Sequence, residues 1–421
     1  MTVVPRRSVG ALVAAVALAI AFSLLAALVA ARPAAAAGDG PIVRAPAAIL
    51  VEPATGDVVF QRNAHDERPV ASTTKLMTAL LTLEREKLST TVTTIRYHAA
   101  PAESVIGLRA GERMTVADLM RGLLLASAND AAATLAVRVG GTRERFVRLM
   151  NDRARQLGLH DTHYSNPIGL DQEGNHSSAE DLVKLTLILR RNAFFRAVTN
   201  LPSATLKTGA RPRTITNRNT LVRTVRAVNG VKTGHTSTAG YVLVGSATRN
   251  GITVVSAVLG DPNEAARDAD SLTLLRYGLD RYHKLAATVK GRAYATAKLA
   301  HRDQRVNFVA TRTVRRTIRR GEHFRLRIAG TPRQIDGPLP AGARVGTIEV
   351  RWRGKPIDRV ALVTDRAVSG ATVVQKAGGL IGRTLIVLLV AGVALGSLQV
   401  VLLRRRMQRR RSRGAGGTEI A

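Results

Sequence analysis

Hydrophobic and polar positions along the first two-thirds of the chain alternate between two periods. Ala48-Ile-Leu-Val-Glu52 and Asp57-Val-Val-Phe-Gln61 read as short strands, and Pro53-Ala-Thr-Gly56 between them carries turn residues, which predicts a hairpin. Leu76, Met77, Leu80, Leu81 and Leu83 then fall at helical spacing, so a buried helix is expected with Ser72 at its start. Lys87 to Gly111 is irregular, with strand-like pieces around Val92 and Val105. Thr115, with Asp118 three residues on, predicts a capped helix whose apolar side is Leu119, Leu123, Leu124 and Leu125. Further helices are expected over 131–139, 142–157 (stopped by Gly158) and 179–191, with a polar loop over 163–178. Tyr241 to Thr248 and Ile252 to Leu259 flank Asn250-Gly251, a strong hairpin turn, and a long amphipathic helix should follow over 265–284.

After about Leu285 the period changes. Segments 305–310, 313–318, 324–328, 345–351 and 359–363 alternate apolar with polar residues, and Gly and Pro turns such as Gly337-Pro-Leu-Pro-Ala-Gly342 separate them. This predicts a small all-β module over 286–370. Two apolar stretches frame the whole. Arg6 and Arg7 precede a run from Val9 to Ala31 and the small residues Ala34-Ala-Ala-Ala37, so 1–37 reads as an export signal or N-terminal anchor. Thr384 to Leu403 is long enough to span a bilayer, and Arg404, Arg405, Arg406, Arg409, Arg410, Arg411 and Arg413 follow it. Positive charge stays cytoplasmic, which puts the body outside the membrane, with 371–383 as a linker and 404–421 as a basic cytoplasmic tail.

Composition changes this picture in two ways. The chain has no cysteine, so disulfides, thiolate zinc sites and cysteine nucleophiles are excluded. A formal net charge of +33 invites a nucleic-acid reading. The arginines are spread along the whole chain, however, aromatics make up only 3%, and the expected topology is extracytoplasmic, so no nucleic-acid partner is expected. His98, His160, His163 and His176 are scattered without ligand spacing, and neither metal nor cofactor is implied.

The candidate chemistry starts at Ala71-Ser-Thr-Thr-Lys75. Ser72 and Lys75 stand one helical turn apart and share a face, so an amine held neutral by burial can take the serine proton. Ser-x-x-Lys occurs once in the chain, and by itself it also reads as a helix cap with a solvated lysine. Ser127-Ala-Asn129 reads either as a helix N-cap or as a proton-relaying hydroxyl beside a substrate-holding amide. Lys232-Thr-Gly-His-Thr236 leads into the Tyr241 strand. Its cation and hydroxyls suit a peptide carboxylate, and Gly234 lets another backbone approach closely. A second Lys-Thr-Gly at 207–209 reads as a decoy, on the ground that only the later copy abuts a hairpin.

Ser-x-x-Lys, Ser-x-Asn and Lys-Thr-Gly in this order form the trio of penicillin-binding proteins and β-lactamases. The surrounding text resembles the low-molecular-mass D-alanyl-D-alanine carboxypeptidases: Arg68-Pro-Val-Ala-Ser-Thr-Thr-Lys-Leu-Met-Thr-Ala79, Ala126-Ser-Ala-Asn-Asp-Ala-Ala132, Asn166-Pro-Ile-Gly-Leu-Asp171 and Asn229 to Tyr241. The resemblance implies an α/β (α+β) penicillin-binding-protein/β-lactamase-like transpeptidase fold over 38–285, followed by the all-β domain and a single transmembrane helix. It also implies roles. Ser72 is the acyl-ester nucleophile, Lys75 its base, Ser127 a proton relay with Asn129 in support, and the backbone N–H groups of Ser72 and His235 form the oxyanion hole. Lys232, Thr233, Gly234 and Thr236 bind the substrate terminus. The implied partners are peptidoglycan stem peptides ending in D-Ala-D-Ala, and β-lactams as inhibitors.

Rival readings remain at this point: a β-lactamase or DD-endopeptidase of the same fold, or a non-catalytic penicillin-binding wall protein. No Glu-x-x-Leu-Asn segment lies between the second and third motifs, which weakens the β-lactamase reading.

Overall fold

The structure is a computed structural model that describes residues 40–414. The expected leader, 1–37, and the end of the basic tail, 415–421, lie outside the described residues. The chain divides into two compact units after Arg281.

The first unit is built on a five-stranded antiparallel sheet. In chain order its elements are β1 (Ala47–Glu52), β2 (Asp57–Arg62), a 3₁₀ turn (Ala71–Thr74), α1 (Lys75–Arg85), β3 (Thr91–Thr93), β4 (Arg113–Thr115), α2 (Val116–Leu125), α3 (Asn129–Gly140) and α4 (Arg143–Gln156). They continue with α5 (Ala179–Leu189), α6 (Ala193–Thr199), β5 (Ser203–Leu206), β6 (Arg213–Thr216), α7 (Thr220–Thr224), β7 (Val228–Thr236), β8 (Gly240–Arg249), β9 (Ile252–Asp261) and α8 (Glu264–Arg281). The sheet order is β2-β1-β9-β8-β7, which leaves β7 at an edge.

Both faces of this sheet are covered, which is why β1 is buried at every position instead of alternating. Ile49 and Val51 join a core shared with Leu76, Met77 and Leu81 of α1, Leu119 and Leu123 of α2, and Leu135 of α3. Leu50 points the other way, onto Gly278 of α8, where an added Cβ would come within 3.0 Å of both Leu50 and Val254. Asn250 (φ +53°) and Gly251 (φ +73°) take the left-handed conformations that a tight hairpin turn needs. Thr115 caps α2 as expected, its hydroxyl accepting from Asp118 N at 3.2 Å.

Other expectations fail locally. No strand forms around Val105, and the long helix ends at Arg281, with Tyr282 onward extended. Hairpin β5–β6 and strand β4 carry no alternation long enough to register in the sequence.

The second unit contains a two-stranded pair, β10 (Tyr282–Thr288) with β13 (Val314–Arg319), and a six-stranded sheet. The remaining strands are β11 (Ala293–Leu299), β12 (Arg305–Ala310), β14 (Arg325–Ala329), β15 (Gln334–Ile335), β16 (Arg344–Trp352) and β17 (Lys355–Thr364), in sheet order β14-β16-β17-β12-β11-β15. Its core includes Val306, Phe308, Ile348, Val350, Val360 and Leu362, the inward positions of β12, β16 and β17, whereas β14 is exposed at every position. The expected linker, 371–383, is instead helical from Val373, in one helix α9 (Val373–Gly414). Within it, Thr384–Gln408 is long and apolar enough to cross a membrane, with mean hydropathy 2.6.

Candidate active site

The nucleophile candidate sits on a bent turn. The backbone turns at Ala71 (φ +45°), passes through the 3₁₀ turn and enters α1 at Lys75. Thr73 Oγ1 donates to Val70 O at 2.6 Å and pins the bend. Ser72 therefore precedes the α-helix and does not lie in it, and Lys75 is its first residue. The Lys75 side chain is fully buried, with Nζ 2.8 Å from Ser72 Oγ and 2.5 Å from the Ile168 carbonyl.

That carbonyl is held in place by a cap. Asn166 Oδ1 accepts from Ile168 N, Gly169 N and Leu170 N at 3.2, 2.6 and 3.2 Å, and so shapes the loop that faces the nucleophile. Gly169 (φ +83°) lies against the turn so closely that a Cβ there would fall 2.0 Å from Ala71 O.

Ser127 stands just outside α3 with φ +60°, and the residue that caps the helix is Ala128, without a side-chain hydrogen bond. The N-cap reading of Ser127 is thus set aside. Its hydroxyl oxygen accepts from Lys232 Nζ at 2.9 Å, and Nζ also donates to Thr233 O at 2.7 Å. Lys232 comes from edge strand β7, in register with Val244 of β8. Gly234 on the same strand would, with a Cβ, come within 3.1 Å of Ser72 N. Lacking one, it lets β7 press against the nucleophile turn, so that the backbone N–H groups of Ser72 and His235 belong to one corner of the cleft. The His235 ring packs on Tyr241 of β8, with centroids 4.0 Å apart.

Burial sets the electrostatics. Desolvation lowers Lys75 to about 7; Glu103 and Asp130 pull it back up and Arg218 pushes it further down. Lys232 is lowered well below its ordinary value, by burial first and then by the charges of Lys75, Arg218 and Arg267. The cleft has a volume of about 920 Å³, and its walls include Ser72, Ser127, Thr233, Gly234, His235 and Arg218. A buried amine with a near-neutral pKa beside a half-buried hydroxyl can act as a general base at pH 7.

Two of the expected residues make other contacts. Thr236 Oγ1, expected to face a substrate carboxylate, donates to Asp171 Oδ1 at 2.6 Å. Asn129, expected to steady the lysine, donates Nδ2 to Glu103 Oε2 at 2.7 Å and leaves Oδ1 without a partner. The reason given for discounting Lys207-Thr-Gly209 also fails, because that copy connects the strands of hairpin β5–β6. It is structural for a different reason: Lys207 N, Thr208 N and Thr208 Oγ1 all donate to Asp118 Oδ2, at 2.9, 3.0 and 2.7 Å.

Four contributors went unread in the sequence: Glu103, Asp171, Arg218 and the Ile168 carbonyl. Asp171 ended a quoted motif and Arg218 is one of many arginines, but only tertiary proximity marks them out.

Comparison with known proteins fits this geometry. The family described as D-alanyl-D-alanine carboxypeptidase matches residues 34–263. D-alanyl-D-alanine carboxypeptidase DacC of Escherichia coli is 32% identical over 361 residues, covering 82% of this chain and 88% of the relative. DacF of Bacillus subtilis is 28% identical, covering 79% and 87%. Among solved structures, penicillin binding protein 5 from Haemophilus influenzae aligns with a TM-score of 0.57 at 27% identity, over 79% of this chain and 99% of that one. DacD from Francisella tularensis aligns at 0.56 and 25%, over 81% and 99%. With more than half its length matched and the relatives covered nearly end to end, the chain belongs to the D-alanyl-D-alanine carboxypeptidase family.

Proposed function

We propose that the protein works as a serine D-Ala-D-Ala carboxypeptidase with Ser72 as nucleophile, on peptidoglycan stem peptides, and that β-lactams acylate the same serine. The observation that carries this reading is the double pairing in one cleft: Lys75 Nζ at 2.8 Å from Ser72 Oγ, and Lys232 Nζ at 2.9 Å from Ser127 Oγ.

In the forward direction, neutral Lys75 takes the Ser72 proton as Oγ bonds to the carbonyl carbon of the penultimate D-Ala. The developing oxyanion is met by the N–H groups of Ser72 and His235, a kind of donor worth about 3 kcal/mol. When the C–N bond breaks, the departing D-Ala nitrogen receives a proton through Ser127, and water then cleaves the ester. Lys232 and Thr233 hold the substrate carboxylate. Thr236 acts with Asp171 in shaping the rim of β7.

Anchoring belongs to the same proposal. Thr384–Gln408 would hold the protein in a membrane as a single pass, with the catalytic unit on the extracytoplasmic side. The catalytic domain belongs to this proposal with its C-terminal limit at Arg281, four residues before the 285 expected from the sequence.

Intact cells labelled with a fluorescent penicillin, followed by mass-spectrometric mapping of the adduct, test nucleophile and topology together. The reading requires label on Ser72, D-Ala release from a diacetylated Lys-D-Ala-D-Ala peptide, and loss of both in Ser72→Ala. Rapid cephalosporin turnover without D-Ala release would instead establish a β-lactamase.

A further inference from the structure

The segment over 97–108 covers the start of α3 and brings a carboxylate into the site that none of the three motifs contains. Its backbone is stitched to α3: Asn129 N donates to Ser104 O at 2.7 Å, and Ile106 N and Leu108 N donate to Asp130 Oδ2 at 3.2 and 3.0 Å. Glu103 turns inward at this seam. It accepts from Asn129 Nδ2 at 2.7 Å, from Ala100 N at 3.1 Å and from the Tyr97 hydroxyl. Asn129 is almost completely buried, and its Oδ1 has no hydrogen-bond partner.

We propose that Glu103 is a positioning residue for acylation: it locks the Asn129 amide in one orientation and places a negative charge beside the base Lys75. An ionised carboxylate only accepts hydrogen bonds, so the amide must present its NH₂ to Glu103 and turn Oδ1 away. The flipped amide would set oxygen against oxygen. Glu103 thus keeps Oδ1 as an acceptor for an N–H of the site.

Burial works against that ionised state, but hydrogen bonds from Tyr97, Asn129 and Ala100 N, with the charge of Lys75, hold the Glu103 carboxyl below its usual range. Burial and the Glu103 bond push the Tyr97 hydroxyl above its ordinary value, so it remains a donor. The charged groups acting on Lys75 are Glu103 and Asp130, which favour its protonated form, and Arg218, which opposes it; the charge of Lys75 in turn lowers Lys232.

The sign of the effect follows. Removing the Glu103 charge lowers the Lys75 pKa, so more of the base is neutral in acid.

The inference rests on the Ser72–Lys75 reading, and the test separates the two. Full-length protein in detergent is assayed for acylation by a fluorescent penicillin and for D-Ala release between pH 5 and 9. Wild-type acylation at Ser72 checks the underlying reading independently. Glu103→Gln keeps an acceptor but loses the charge: its acid limb in kcat/KM moves down by about one pH unit, so it outperforms wild type at pH 6. Glu103→Ala loses the acceptor as well, and its alkaline plateau falls by about tenfold or more. A purely structural role would reduce the fraction of protein that penicillin titrates and leave the limb in place. An unmoved limb in Glu103→Gln, with wild type active, overturns the proposal. Since Gln is nearly isosteric, this arm does not depend on whether the alanine variant folds.

Discussion

Gly169→Ala offers a direct test of how the nucleophile turn is held, because a matched control exists elsewhere in the chain. Gly169 and Gly56 both have positive φ, +83° and +77°. Alanine at either pays the left-handed penalty, about 1 kcal/mol. At Gly56 nothing lies within 4 Å of the added Cβ, whereas at Gly169 the Cβ would fall 2.0 Å from Ala71 O and 3.0 Å from Ser72 N. The obstruction is backbone, so no rotamer relieves it. Restoring an ordinary contact requires the turn and the 166–171 loop to separate by more than about 1 Å, and misplacement on that scale costs about a hundredfold in rate.

Both sides of that contact are catalytic in the proposed mechanism. The loop supplies the Ile168 carbonyl to Lys75, and the turn carries Ser72. The expected results are therefore distinct. Gly56→Ala lowers Tm by about 2–4 °C and keeps wild-type kcat/KM for D-Ala release. Gly169→Ala loses at least as much in Tm and about a hundredfold in kcat/KM. Wild-type kcat/KM in Gly169→Ala, or an equal loss in Gly56→Ala, would refute the claim that this contact sets the geometry of the nucleophile.

Two further predictions concern titrating groups. Because the proposed mechanism needs Lys75 neutral to take the Ser72 proton, and Lys75 is lowered only to about 7, kcat/KM should fall about tenfold per pH unit below that point. Lys75→Arg, permanently charged, loses nearly all D-Ala release while a thermal melt still shows a folded protein. Asp261 is fully buried, and burial, then the charge and hydrogen bond of Asp270, push it up to about 7. Its unfolded value is about 3.9, so between these values the folded state binds the extra proton, and stability falls as pH rises from 4 to 7. Asp261→Asn should flatten that slope and melt a few degrees above wild type at pH 8; an unchanged slope in a pH series of thermal melts counts against it.

What could be read in the sequence was whatever is local or periodic. The Asn250-Gly251 hairpin, the Thr115 cap and the two apolar runs of α1 and α2 each occupy a few consecutive residues whose conformational preferences agree. The three motifs were legible for a related reason: Ser72 and Lys75 are three apart, and Lys232 through Thr236 share one strand. Glu103 was not legible because it lies in a segment with no regular secondary structure and its role depends on meeting Asn129, 26 residues away beyond β4 and α2. Asp171 was hidden in the same way by its 65-residue separation from Thr236. The Lys207-Thr-Gly209 copy shows the converse. The same three residues beside a hairpin become a structural turn when the nearest carboxylate, Asp118, takes up their N–H groups.

Why the cleft needs two lysines, both driven toward neutrality, follows from the order in which charge arrives. In the free enzyme each buried amine is destabilised as a cation by desolvation, and Lys232 further by Lys75. In the proposed mechanism a substrate ending in a carboxylate brings a compensating charge to the Lys232 side of the cleft, so the proton settles there. A cationic Lys232 then disfavours a second cation, and Lys75 is left neutral next to Ser72 Oγ. Substrate binding on this account arms the base, and its signature is kinetic. Since kcat/KM reports the free enzyme and kcat the bound complex, the acid limb of kcat must lie at lower pH than that of kcat/KM. Coincident limbs would mean that the carboxylate is held by some other cation and that Lys232 does not couple the two halves of the site.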